Sequence, residues 1–151
     1  MSNFYLDVLQ HHPKFTSAER ICNPEMLEPN FRRKVLRILE EARAHGLELM
    51  VFETYRSKQR QQRLFAAGAT KLKTVGVHHF GLACDLVRCV NGQPSWGGDF
   101  RLLGHLARSH DLVWGGDWTT FPDPCHVQWC AVKDQPKLFR GTWYPSPDYI
   151  P

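Results

Sequence analysis

This sequence predicts an α+β fold: a small, mainly antiparallel sheet with flanking helices. Three observations point there. Helical and strand periodicities both occur, and they are not arranged as a regular βαβ series. The later connections are of hairpin type, with Asn91–Gly92 the clearest turn. The chain has 151 residues, 42% hydrophobic and 23% charged, the size and composition of one ordinary globular domain.

The elements follow in order. Residues 1–28 are expected to be irregular, punctuated by Pro13 and Pro24, and to wrap over the domain. From Pro29 to His45, the residues Phe31, Val35, Ile38, Leu39 and Ala42 recur at helical spacing, and Gly46 is a natural stop. Leu47, Leu49 and Val51 then alternate with Glu48, Met50 and Phe52, which predicts a strand buried on both sides. Ser57 can cap a helix that runs to about Ala67 and closes at Gly68. Residues 69–77 read as a loop carrying Lys71 and Lys73. A strand covers Ala83–Val90 and turns at Asn91–Gly92. Asp99 is placed to cap a third helix through Phe100, Leu103, Leu106, Ala107 and His110. A short strand over Leu112–Trp114 precedes Gly115–Gly116, a loop over 118–124 and a last strand over His126–Ala131. Residues 133–151 carry four prolines and are expected to lie on the surface as a tail. The whole of 1–151 is read as a single domain, and a monomer is expected.

Charge and cysteines set outer bounds. Nineteen basic against fifteen acidic residues give a net charge of +4, a mild excess. The stretches Arg32–Arg33–Lys34–Arg37 and Arg56–Lys58–Arg60–Arg63 read as solvated helix faces, so nucleic acid is not an expected partner. No run approaches ~18 apolar residues, so no membrane span is expected. The start MSNFYLDVLQHHPKF lacks a basic segment followed by an apolar one. Synthesis in the cytoplasm without a secretory signal is therefore expected. Five cysteines cannot all pair within one molecule, and Cys84/Cys89 and Cys125/Cys130 share a spacing. Packed reduced thiols are the expectation, with a four-cysteine metal site and a disulfide as the alternatives.

Two segments carry chemistry: His78-His79-Phe80-Gly81-Leu82-Ala83-Cys84-Asp85 and Asp123-Pro124-Cys125-His126. A hydrolytic zinc site keeps three protein ligands and one open position. His78, Asp85 and His126 would make a two-histidine, one-carboxylate set. Asp85 sits among apolar strand residues, where a carboxylate is rare unless paired or metal-bound. Gly81 lets the chain bend so that His78 returns toward Asp85. Asp123 lies three residues before His126 and would act as the base toward a water without binding the metal.

These residues resemble the LAS-type zinc peptidases, which include D-alanyl-D-alanine carboxypeptidases and phage L-alanyl-D-glutamate endopeptidases. The family pattern is S-x-H-x-x-G-x-A-x-D followed by a short acidic-x-x-H element. His78, Gly81, Ala83 and Asp85 match the first part, and Asp123 and His126 the second. Tyr55-Arg56-Ser57, with Gln61, Leu64 and Gly68, resembles the family's upstream element. The run Trp114-Gly115-Gly116-Asp117-Trp118 is similar to the endolysin branch. Gly76 departs from the pattern, standing where the family has serine, and Cys125 beside His126 is unusual.

The resemblance implies the hedgehog/DD-peptidase fold, zinc held by His78, Asp85 and His126, and Asp123 as general base. It implies that Arg56 binds a substrate carboxylate or stabilises the oxyanion, against a salt bridge at the helix start as the plainer role. Gln61 would support the site through hydrogen bonds, and Asp117 would either contact it or serve its turn. Trp114 and Trp118 would line the cleft or pack in the core. His79 should point elsewhere. The implied activity is hydrolysis of peptidoglycan stem peptides, with L-alanyl-D-glutamate endopeptidase ahead of D-alanyl-D-alanine carboxypeptidase. A metal-bearing peptidoglycan-binding module without catalysis is the reading from another class. A lysin that reaches the wall on release or cell lysis fits the absence of a signal.

Overall fold

The computed structural model of the chain describes residues 3–151. Five strands form one sheet in the order β1-β2-β5-β4, with β3 also paired to β2, and every pairing is antiparallel. The strands are β1 (Leu49–Glu53), β2 (Ala83–Val90), β3 (Gln93–Ser95), β4 (Val113–Trp114) and β5 (His126–Gln128). The helices are α1 (Phe4–Asp7), α2 (Pro29–Ala44), α3 (Lys58–Ala66), α4 (Arg101–Ser109) and α5 (Gln135–Phe139). This is the expected α+β class.

The long helix α2 turns Phe31, Val35, Ile38 and Ala42 inward, all fully buried, and packs on α4 and β1. It ends at Gly46, whose φ of 85° is left-handed. Helix α3 is capped as expected, Ser57 Oγ accepting from Arg60 N at 2.9 Å. Strand β2 is central, pairing with β1, β3 and β5, and Cys84, Leu86 and Val87 on it are fully buried. At the β2–β3 turn Asn91 (φ 53°) and Gly92 (φ 77°) are both left-handed, as a two-residue hairpin loop of primed type demands. Gly81 (φ 73°) joins the 3₁₀ turn Val77–Phe80 to β2, and a Cβ there would meet Leu9 Cδ1 at 3.0 Å.

Several expectations are corrected. Asp99 does not cap α4: Phe100 holds the cap position, and Asp99 Oδ1 accepts from Arg101 N at 2.9 Å as an Asx turn one residue earlier. Strand β5 stops at Gln128: Trp129 N still donates to Leu82 O at 2.8 Å, but Ala131 N is taken by the Tyr149 hydroxyl at 2.8 Å. Residues 3–28 are not merely irregular. They contain α1 and 3₁₀ turns at Leu9–His11 and Pro24–Met26, and they bury Phe4, Leu9, Ile21, Met26 and Leu27. Arg32 is not solvated, since its guanidinium donates to the carbonyls of Pro24, Glu25 and Leu27 and so holds this segment to α2. Ile21 O accepts from Thr54 N at 2.7 Å, and Arg20 donates to Phe52 O.

The tail is docked too. It contains α5, buries Leu138 and Tyr144, and places the Tyr144 hydroxyl on Phe80 O at 2.8 Å. Its aromatics give it a hold on the core that proline content alone did not foretell. All five cysteines are free: Cys84, Cys125 and Cys130 are buried, Cys89 is half-buried and Cys22 exposed. Among the described residues no helix is long and apolar enough to cross a membrane.

The Tyr144–Phe80 bond gives a test of tail docking. Tyr144→Phe leaves a buried carbonyl unpaired and should cost ~1–3 kcal/mol, read as a lower midpoint in urea denaturation. An unchanged midpoint would show that this contact does not hold the tail.

Candidate metal centre

Asp85 on β2 and His126 at the start of β5 face each other as cross-strand partners, which places their side chains on one face of the sheet. His78 comes from the 3₁₀ turn that precedes β2. The three offer ligand atoms that all lie within 4.8 Å of one another. His78 Nε2 is 3.3 Å and His126 Nδ1 3.1 Å from the same Asp85 Oδ1. The imidazole rings meet edge to face at 5.2 Å.

Hydrogen bonds on the far side of each ring assign the tautomers. His78 Nδ1 lies 2.7 Å from Thr54 O, and a carbonyl only accepts, so Nδ1 carries the proton. The Gln128 side-chain nitrogen donates to Cys130 O and to Gln135 Oε1, which turns Gln128 Oε1 toward His126 Nε2 at 2.7 Å. His126 therefore carries its proton on Nε2. In both rings the inner nitrogen is left with a lone pair aimed at the cluster, as metal-binding histidines require.

When protons rather than a cation occupy the inner nitrogens, both rings are charged and donate to Asp85. Burial, the largest single influence on Asp85, would raise its pKa, but the charges and hydrogen bonds of His78 and His126 outweigh it and hold the carboxyl well below the usual range. For His126, burial works downward, and the bond to Asp85 and its charge, with Asp123 and Gln128, carry the pKa upward. The cluster thus holds an ionised carboxylate and draws positive charge toward it. Two nitrogen lone pairs and one carboxylate oxygen are a donor set suited to zinc-like cations.

Asp123 stands beside this set and outside it, its Oδ2 4.0 Å from His126 Nδ1 and its side chain half exposed. Its backbone is pinned by Asp123 N donating to Gly115 O at 2.9 Å and Asp123 O accepting from His126 N at 3.1 Å. A Cβ on Gly115 would run into Asp123 O, so only glycine lets the loop close here. Burial, helped by the charge of Asp85, lifts the Asp123 carboxyl above its ordinary pKa against His126, His78 and Arg56.

Arg56 faces the site. Its Nη2 lies 2.8 Å from Glu53 Oε1 and 3.5 Å from Asp85 Oδ2, and its Nη1 donates to Gln61 Oε1 at 3.1 Å. Gln61 also donates to Leu72 O at 2.8 Å, tying the loop over 69–77 to α3. Arg60 Nε reaches Glu53 Oε2 at 3.1 Å. Arg56 and Arg60 are therefore not part of a solvated face, because the buried Glu53 carboxylate draws both inward.

Other residues fall elsewhere. Asp117 is not at the site: it is exposed and pairs with Arg108 at 3.0 Å, because the turn Gly115–Asp117 turns it toward α4. Trp118 takes the inward place, its ring 5.2 Å from that of His126. Trp114 supports the loop by donating to Pro124 O at 2.7 Å. His79 points away and bonds to the Tyr5 hydroxyl and Arg56 O. The space beside Gly76 is filled by Leu72, whose Cδ1 would be 3.2 Å from a Cβ there. The Cys125 thiol is pushed up to about 12, chiefly by burial and then by the charges of Asp123 and Asp85.

Sequence reasoning missed Glu53, Thr54 and Gln128. Gln128 lies two residues after His126 on the same strand face, and Glu53 lies three before Arg56, so both had a signal. Thr54 acts through its carbonyl, which has none. The cleft that Glu53 borders encloses about 290 Å³ and is lined also by Arg56, Arg60, Asp85, Trp96 and Asp123 among others. A larger cavity of about 640 Å³ lies on the His79 side and is lined by none of the triad.

A family model described as D-alanyl-D-alanine carboxypeptidase matches residues 70–129, which contain all three cluster residues and Asp123. The L-alanyl-D-glutamate peptidase of Listeria phage A118 is 28% identical over 115 residues, 74% of this chain and 41% of the phage protein. The match thus spans about two fifths of that relative. The peptidoglycan L-alanyl-D-glutamate endopeptidase CwlK of Bacillus subtilis (strain 168) is 24% identical over 124 residues, 70% of this chain and 74% of CwlK. The crystal structure of the Serratia marcescens L-Ala D-Glu endopeptidase ChiX aligns with a TM-score of 0.60 at 25% identity, covering 78% of this chain and 94% of ChiX. The chain is thus similar, over about three quarters of its length, to peptidases named for the L-alanyl-D-glutamate bond.

Gln128 offers a test of the tautomer argument. Gln128→Leu removes the acceptor that holds the His126 proton on Nε2 and should lower divalent-metal affinity ~10–100-fold in competition with a chromophoric chelator. Unchanged affinity would mean that His126 needs no such partner.

Proposed function

We propose that this protein is a zinc-dependent peptidase of peptidoglycan stem peptides, cutting the bond between L-alanine and D-glutamate. The observation that carries the reading is the convergence of His78, Asp85 and His126 with both tautomers set, and Asp123 beside them but outside the ligand set. Those three residues would hold zinc. Bound there, zinc would supply Lewis acidity toward a water and a scissile carbonyl.

The chain's own groups do the rest. Asp123 accepts the proton of the attacking water on its carboxylate and hands it to the leaving amine. Burial raises its pKa above the ordinary carboxylate value, the direction that makes it a better acceptor of that proton. Arg56, held by Glu53 and Gln61, presents a fixed guanidinium to the substrate's carbonyl or carboxylate oxygen. The Trp118 ring shields His126. The preference for the L-alanyl-D-glutamate bond over the terminal D-alanyl-D-alanine bond is supported by the activities named for the phage, CwlK and ChiX proteins.

Mass spectrometry of defined stem peptides tests this reading. The zinc-loaded protein should release fragments cut between L-alanine and D-glutamate, a chelator should stop the reaction, and added zinc should restore it. Loss of terminal D-alanine alone would make it a carboxypeptidase, and zinc-dependent binding without cleavage would make it a binding module. Asp123→Ala should lower kcat ~10²–10⁴-fold with metal content unchanged. A wild-type rate in that variant would remove Asp123 from the chemistry.

A further inference from the structure

Glu53 is buried and holds two arginines at once, Arg56 Nη2 on Oε1 at 2.8 Å and Arg60 Nε on Oε2 at 3.1 Å. Both Nη groups of Arg56 have partners, Gln61 on one and Glu53 on the other. Arg60 differs. Among the described residues its Nη groups have no hydrogen-bond acceptor, although its side chain is only 16% exposed and lines the same cleft as Arg56, Asp85 and Asp123. Glu53 pairs with both guanidinium groups, and Asp85 Oδ2 lies 3.5 Å from Arg56 alone. The Nη edge of Arg60 is thus left open at a partly enclosed pocket. An open, planar guanidinium fork of this kind matches a carboxylate with two parallel hydrogen bonds.

We infer that Arg60 is a specificity-determining residue: its Nη groups take a carboxylate that the substrate carries beside the cleaved amide. The inference rests on the peptidase reading above. In an L-alanyl-γ-D-glutamyl peptide the α-carboxylate of D-glutamate is free and sits on the same carbon as the scissile nitrogen. A chain-terminal carboxylate would present the same chemistry to a carboxypeptidase.

The experiment compares L-Ala-γ-D-Glu-L-Lys with the peptide in which the D-glutamate α-carboxylate is an amide, and with one amidated at the chain end. The zinc-loaded protein should favour the free α-carboxylate ~10- to 100-fold in kcat/KM. Arg60→Gln should erase that preference by slowing the carboxylate peptide alone, and Arg60→Lys should restore part of it. Equal losses on all peptides would overturn the inference and leave Arg60 as a support for Glu53. An Arg60-dependent penalty for the chain-end amide instead would overturn the assignment to D-glutamate. Titration of the same peptides onto zinc-loaded Asp123→Ala protein reads the preference without turnover. If wild type cleaves no peptide, the peptidase reading fails. Arg60 then stands if the titration shows a carboxylate preference that Arg60→Gln abolishes, and falls if it does not.

Discussion

A buried negative charge on the central strand is the constraint from which the site is built. Asp85 sits on β2, flanked by fully buried Cys84 and Leu86. An ionised carboxylate in such surroundings costs several kcal/mol unless it is compensated. The compensation comes from three directions: His78 from the turn before the strand, His126 from the neighbouring strand, and Arg56 from the segment before α3. Sheet register brings His126 opposite Asp85, and the left-handed Gly81 brings His78 back over it. The features that make the fold closable around Asp85 are thus the ones that assemble a cation site.

A second buried acid organises the other half of the cleft. Glu53 ends β1, next to the register shift between Val51 and Glu53, and anchors two arginines that would otherwise repel each other. One carboxylate therefore centres the cluster with the two histidines and another orders the donors around it. The two acids are cross-strand neighbours, so the whole polar interior of the cleft hangs on one pair of strands.

What was legible in the chain divides along physical lines. The helical spacing of Phe31, Val35, Ile38 and Ala42, the alternation around Asp85, and Asn91–Gly92 all report local structure, and they foretold α2, β2 and its turn. The cluster His78, Asp85 and His126 was legible because its spacing matches a family pattern. The docking of residues 3–28 and of the tail was not. It rests on contacts such as Tyr144 to Phe80 and Tyr149 to Ala131, between residues with no shared local pattern. Asp117 misled because an acid in a glycine turn looks the same whether it faces a cleft or solvent. Arg60 looked solvated because the burial of Glu53 is a tertiary fact.

The N-terminal segment has a role beyond filling space. Strand β1 lies at the border of the sheet, where free carbonyls and amides invite another strand. Ile21 O and Asn23 O occupy the amide and hydroxyl of Thr54, and Arg20 caps Phe52 O. The opposite border, β4, is only two residues long. The C-terminal end of one border is therefore covered by the chain itself and the other border is short, and both features oppose edge-to-edge association.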